Sequence, residues 1–236
     1  MKLTVVMPVY NERETILEIL ERVRAVDVDK EIVIIDNCST DGTREILERI
    51  DLPEVRTIFQ DRNRMKGNSV KKGIAAARGE YLIIQDADLE YDPQDYPALL
   101  EEIERDEVLC VLGSRVLGAA QTGNTLPPSS FDVGRHLITD YFNVLFGTNL
   151  TDIATCYKLA PTALLQSMEL VSDGFDLDVE LVARFVIEAR ARGQQVTEVP
   201  IRYYPRTVAE GKKIRWVDGL TSLAAITRYR FVRPVG

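Results

Sequence analysis

The chain has 236 residues and a mass of 26.6 kDa, enough for one large domain with a full core. Its 45% hydrophobic and 28% charged content is that of an ordinary globular protein, and a net charge of −8 argues against nucleic acid as a general partner. No apolar run approaches the roughly 20 residues that cross a bilayer, and the apolar start Met1–Pro8 is too short for a secretory signal. Three widely spaced cysteines (Cys38, Cys110, Cys156) fit neither a disulfide framework nor a zinc site, so a reducing cytoplasm is the expected home.

The first half of the chain alternates strand and helix. Leu3 to Val9 reads as a buried strand. Asn11 with Glu14 predicts a reciprocal helix cap, followed by an apolar stripe of Ile16, Leu17, Leu20 and Val23. Glu31 to Ile35 is a second strand, leading through the polar turn Asp36–Gly42 into a short helix that carries Ile46, Leu47 and Ile50. Val55 to Phe59 is a third strand. Lys66 to Arg78 predicts a helix stopped by Gly79. The Tyr81 strand, a helix near Asp95 to Arg105 and a strand from Val108 to Gly113 complete this part.

Gly118 to Ser130, small and polar with Pro127-Pro128, predicts a loop that serves as a lid or meets the acceptor. Beyond it the pattern gives an apolar helix from His136 to Phe146 and a short strand from Thr155 to Leu159. A long helix from Leu177 to Arg192, closed by Gly193, and a final strand from Gln195 to Tyr204 follow. Strands separated by helical segments predict an α/β fold, a mostly parallel sheet with helices on both faces, in one domain over 1–236. Ligands of such sheets sit at the C-terminal strand ends, where Asp36 and Asp86 both fall.

The most telling stretch is Tyr81-Leu-Ile-Ile-Gln-Asp-Ala-Asp-Leu-Glu-Tyr-Asp-Pro93, an apolar strand ending in two carboxylates. Carboxylates at the lip of a core strand are costly unless a cation or hydrogen-bond donors meet them. A hard divalent ion completed by water and phosphate oxygens suits Asp86 and Asp88. The C-terminal stretch from Arg202 to Gly236 holds eight basic and two acidic residues, a local +6 that points to phosphates or a membrane surface.

Three features occur in a fixed order: Pro8-Val-Tyr-Asn-Glu12 after the first strand, Asp36-Asn-Cys-Ser-Thr-Asp-Gly-Thr43 after the second, and Asp86-Ala-Asp88 after a later one. With Gly113-Ser-Arg115 and Arg206-Thr-Val-Ala-Glu-Gly-Lys-Lys213 they resemble family-two glycosyltransferases of the GT-A fold, in particular the polyprenol-phosphate sugar transferases similar to dolichol-phosphate mannose synthase. The resemblance implies a metal-dependent, inverting enzyme that moves a hexose from a UDP- or GDP-sugar to a polyprenyl phosphate. The alternatives are the same donor with a saccharide hydroxyl as acceptor, or a non-catalytic nucleotide-sugar-binding protein.

It further implies a nucleotide-sugar-binding half over 1–115 and an acceptor half over 116–236. Pro8 and Tyr10 would line the nucleobase slot, Glu12 would approach the ribose, and Asp36 would accept from the base edge or the ribose hydroxyls. Asn37 and Cys38 stand where family members carry a second acid, which leaves the base unassigned. Arg64, Lys66 and Gly67 would pass near the diphosphate, with Ala87 and Arg115 also lining the donor. Asp86 and Asp88 would orient the donor around Mg2+ or Mn2+, with Glu90 a third contact. Arg206, Lys212 and Lys213 would stabilise the leaving diphosphate from a basic lid over 205–215. Asp88, Asp152 and Arg206 are the catalytic candidates. Asp152 would act as general base toward a hydroxyl or orient the acceptor, and an anionic phosphate acceptor needs no base.

His136, the one histidine, reads as a satisfied core or surface residue, and Cys38 as structural. Trp216 to Phe231 has apolar residues at helical spacing and would rest on a membrane or pack on the domain. The expected setting is therefore cytoplasmic, peripheral on the inner face of a membrane if the acceptor is a lipid.

Overall fold

The computed structural model describes residues 1–122, 130–206 and 216–231. One seven-stranded sheet runs through the molecule in the order β3-β2-β1-β4-β6-β5-β7. Its strands are β1 (Leu3–Val9), β2 (Lys30–Asp36), β3 (Val55–Phe59), β4 (Tyr81–Ile84), β5 (Val108–Ser114), β6 (Lys158–Pro161) and β7 (Gln195–Pro200). All pairings are parallel except those of β6, which lies antiparallel between β4 and β5. The two expected halves of the chain therefore interleave in one sheet.

Continuous apolar sequence makes the central strands. Every β-facing side chain of β1 except Pro8 is buried, as is the whole of β5, because helices cover both faces. The helices are α1 (Ile16–Arg24), α2 (Thr43–Leu47), α3 (Met65–Ala76), α4 (Tyr96–Ile103), α5 (Arg115–Thr122), α6 (Ser130–Phe146), α7 (Thr162–Ser167), α8 (Leu177–Arg192) and α9 (Trp216–Phe231). A 3-10 turn, Pro93–Asp95, leads into α4.

Several local expectations are corrected. The Asn11–Glu14 cap does not form: α1 begins at Ile16 behind Thr15. Asn11 instead takes a left-handed conformation (φ 52) and accepts from the Thr40 amide at 2.9 Å, tying the first loop to the second. The buried stripe of α1 is Ile16, Ile19, Leu20 and Val23, and Leu17 faces outward. Gly79 is not the stop of α3, which ends at Ala76. A Cβ at Gly79 would lie 2.6 Å from the Leu3 and Thr4 backbone, so this glycine permits close approach to β1. Part of the expected 118–130 loop is the helix α5 as far as Thr122, and 123–129 lie outside the described residues. The expected strand from Thr155 starts only at Lys158, and the last strand ends at Pro200 rather than Tyr204. Gly193 does close α8, in the left-handed conformation.

Candidate active site

The parallel register brings the C-terminal ends of β1, β2 and β4 together. Val9 pairs with Asp36 and Val6 with Ile84, so the turn carrying Asp86 and Asp88 emerges beside Pro8 and Tyr10. Pro8 and Tyr10 are half-exposed at this edge.

Asp36 is fully buried. Its Oδ1 accepts from the Ser39 amide at 3.1 Å. Its Oδ2 has no hydrogen-bond partner among the described residues and faces Arg44 Nε at 3.5 Å. A buried acceptor of this kind suits a ligand N–H or hydroxyl. Asn37 holds the neighbouring loop: its Oδ1 accepts from Arg64 N and Gln60 Nε2, and its Nδ2 donates to Asn63. The Arg64 guanidinium pairs with exposed Asp61 at 3.1 Å. Gly67 is required for packing, since a Cβ there would meet the Asp173 backbone at 2.7 Å.

Asp86 and Asp88 form the centre. Lys66 Nζ reaches both oxygens of Asp86, at 2.8 and 2.9 Å, and stands 3.9 Å from Asp178. Burial alone would lower the Lys66 pKa, but Asp86 and then Asp178 hold it well above its usual value. Asp86 is pushed up by burial and brought below the usual carboxylate range by Lys66. Asp88 is raised to about 7 by burial, then by the charges of Asp86 and Glu90, with Arg206 opposing. Ala87 between them is buried.

Glu90 turns toward the segment 203–206, where Tyr203 donates to one oxygen at 2.8 Å and the Arg206 amide to the other at 2.7 Å. Its geometry is that of a clasp rather than an open ion contact. Among the described residues no cluster of three or more His, Cys, Asp or Glu side chains forms a ligand set for an ion. Two carboxylates, one of them in surplus negative surroundings, still fit Mg2+ or Mn2+, which keep several waters and substrate oxygens and need few protein ligands.

Glu12 lies behind Arg206, not at an open ribose position. The guanidinium bonds both its oxygens, at 3.1 and 3.2 Å, while reaching Asp88 at 3.3 Å. Arg202 bolts this segment to the 3-10 turn through Asp95. Lys212 and Lys213, and the expected lid from 207 onward, lie outside the described residues.

Asp152 is corrected as a general base. It is fully buried, and Arg115 engages both of its oxygens at 2.7 and 2.8 Å. Burial works against ionisation, but Arg115 prevails and holds the carboxyl below its usual range, so it is a weak proton acceptor. Arg115 in turn stacks on Tyr203 and Tyr91. The pair thus links the end of β5 to the segment that carries Tyr203. His136 is exposed on α6, with its ring beside Arg135.

The sequence reading missed Asp178 and the cationic role of Lys158. Lys158 is fully buried and bonds Asp178 at 2.9 Å, so Lys158, Asp178, Lys66 and Asp86 alternate in sign across the site. The signal available was Asp178 with Glu180 in the first turn of α8, where the helix dipole favours carboxylates.

The family described as Glycosyl transferase family 2 matches residues 4–166. A low-salt glycan biosynthesis hexosyltransferase from Haloferax volcanii is 29% identical over 86% of this chain and 48% of its own length. An undecaprenyl-phosphate mannosyltransferase from Micrococcus luteus is 27% identical over 97% of this chain and 94% of its own. The chain thus spans about half of the first relative and nearly all of the second. Glucosyl-3-phosphoglycerate synthase from Mycobacterium tuberculosis, solved with Mn2+, UDP and phosphoglyceric acid, has the same fold. Its TM-score is 0.73 at 17% identity, over 100% of this chain and 80% of that one.

Proposed function

This chain belongs to glycosyl transferase family 2, and from that premise we propose that it transfers a hexose from a UDP- or GDP-sugar to a polyprenyl phosphate with inversion, assisted by Mg2+ or Mn2+. Asp36, Pro8 and Tyr10 would receive the nucleoside. Asp86 and Asp88 would hold the ion, and Lys66 and Arg206 would meet the diphosphate. The ion, when bound, supplies Lewis-acid neutralisation of the departing diphosphate. An acceptor phosphate oxygen would attack the anomeric carbon as the sugar–diphosphate bond breaks, so that no proton has to be removed.

The observation that carries the lipid reading is a two-helix apolar face. Leu137, Tyr141 and Val144 of α6 are exposed at helical spacing, next to exposed Leu220 and Phe231 of α9. Tyr141 and Thr227 join the two helices at 2.8 Å, and Leu223 and Ala224 line the groove between them. Exposed Arg228 and Arg230 add cations on α9. Such a face suits the surface of an anionic membrane. None of the described helices is long and apolar enough to cross one. The Micrococcus relative, named for a polyprenyl-phosphate acceptor, supports the same reading. A saccharide hydroxyl as acceptor would need a base, and both Asp152 and Asp178 are already engaged by buried cations, which favours the phosphate acceptor.

The test is transfer of labelled hexose to a short polyprenyl phosphate, with UDP- and GDP-sugars compared. A chloroform-extractable product is expected, together with binding to anionic liposomes at low salt and a blue shift of Trp216, the sole tryptophan. Product on soluble saccharides alone, with no liposome binding, would overturn the lipid reading.

A further inference from the structure

We propose that Gln85 is a positioning residue for the paired carboxylates, and that two buried tyrosines exist to set its orientation. The inference rests on reading Asp86 and Asp88 as the ion- and donor-binding pair. Gln85 is fully buried, and its backbone N–H donates to the Val6 carbonyl at 2.9 Å, past the last residue of β4. Beyond that bond the chain leaves the sheet. Leu89 takes a left-handed φ of 63 without being glycine, so the turn carrying the carboxylates is strained and lacks ladder pairing.

The side chain of Gln85 holds the start of that turn. Its Oε1 accepts from Tyr96 at 2.5 Å and from Tyr157 at 2.7 Å, and its Nε2 donates to the Asp86 carbonyl at 2.9 Å. Tyr96 comes from α4 and Tyr157 from the residue before β6, with rings 5.5 Å apart and both fully buried. A glutamine amide can flip, but here only one orientation works. The reversed amide would set Oε1 against the Asp86 carbonyl, which can only accept. It would also turn a donor toward two hydroxyls and leave at least one hydroxyl proton without an acceptor, in a place where unmade bonds are expensive. The tyrosines thus select the rotamer, and the rotamer fixes the peptide plane from which Asp86 and then Asp88 project. A methionine would fill the same volume, so packing alone does not call for the amide.

The experiment is Mn2+ uptake in the presence of UDP, read from the free-ion electron paramagnetic resonance signal and accompanied by thermal melts. The expected result is that Gln85→Met weakens uptake about 10- to 100-fold, the usual cost of losing a partner behind a metal ligand. Tyr96→Phe with Tyr157→Phe should also weaken it, and the triple variant should be no worse than Gln85→Met, because the tyrosines act only through the amide. Wild-type affinity in Gln85→Met, or losses that add up across the triple variant, would overturn the proposal. Should Gln85→Met not fold, unchanged Mn2+ affinity in the double tyrosine variant would overturn it equally. If the wild-type protein takes up no Mn2+ with UDP, the reading of the carboxylate pair itself falls.

Discussion

Asp86 and Asp88 leave one turn two residues apart and stand in opposite electrostatic surroundings. Lys66 grips both oxygens of Asp86, whereas Asp88 faces two carboxylates and a guanidinium that is shared with Glu12. Lys66 holds one acid of the pair below the usual carboxylate range and the other is pushed up to about 7, an asymmetry that an arriving dication would relieve.

The pH dependence follows from Asp88. Its folded pKa of about 7 lies above its ordinary 3.8, so between those values the folded state holds a proton that the unfolded chain has released. The contribution of this group to apo stability is therefore complete below about 3.8 and lost as pH rises through about 7. Mn2+ must displace that proton, so its apparent affinity should rise by up to about tenfold per pH unit below 7 and level off above. Calorimetric titration at several pH values checks this. A flat affinity from pH 5.5 to 8 would contradict it.

Asp152→Asn tests the bracing role. Removing one partner of a buried ion pair costs about 3–5 kcal/mol, because Arg115 would remain charged and uncompensated. A large fall in melting temperature is expected, and the pH profile of the remaining transfer should keep its shape. A stable protein that has lost an ionisation from its rate profile would restore Asp152 as the base.

Arg206→Ala separates chemistry from support. If its guanidinium meets charge developing on the diphosphate, kcat should fall about a hundredfold, the order seen when a donor to a transition-state oxyanion is removed. The nucleotide affinity set around Asp36 should change little. Arg206→Lys should recover only part of the rate, since a lysine cannot bridge Glu12 and Asp88 as a planar fork does. An unchanged kcat would leave Arg206 as a strut between loops.

Much of this was legible in the residues. β3, β4 and α8 fall where their apolar periods and the Gly193 stop place them. The positions of Asp36, Asp86 and Asp88 follow from strand ends alone. What periodicity could not convey was tertiary. The Asp152–Arg115 lock joins residues 37 positions apart, and Lys158 meets Asp178 only because β6 is inserted antiparallel. Gly79 looked like a helix stop because a glycine after a helical pattern has two explanations. Here close approach to β1 applies, and that contact is invisible along the sequence.

The place of β6 also bears on the order in which the chain can assemble. β5 is sixth in the sheet but fifth in sequence, and its neighbours are β6 and β7, both made later. During synthesis β1 to β4 can pair as they emerge, whereas β5 must wait, unpaired and apolar from Val108 to Leu112, until Lys158–Pro161 supplies its bridge to β4. Such non-local closure is slow and leaves strand edges open to aggregation. A fragment ending near residue 115 would therefore keep the carboxylate turn but lose its companion strands. Mixing it with the remainder should restore the sheet only if β6 threads between the two.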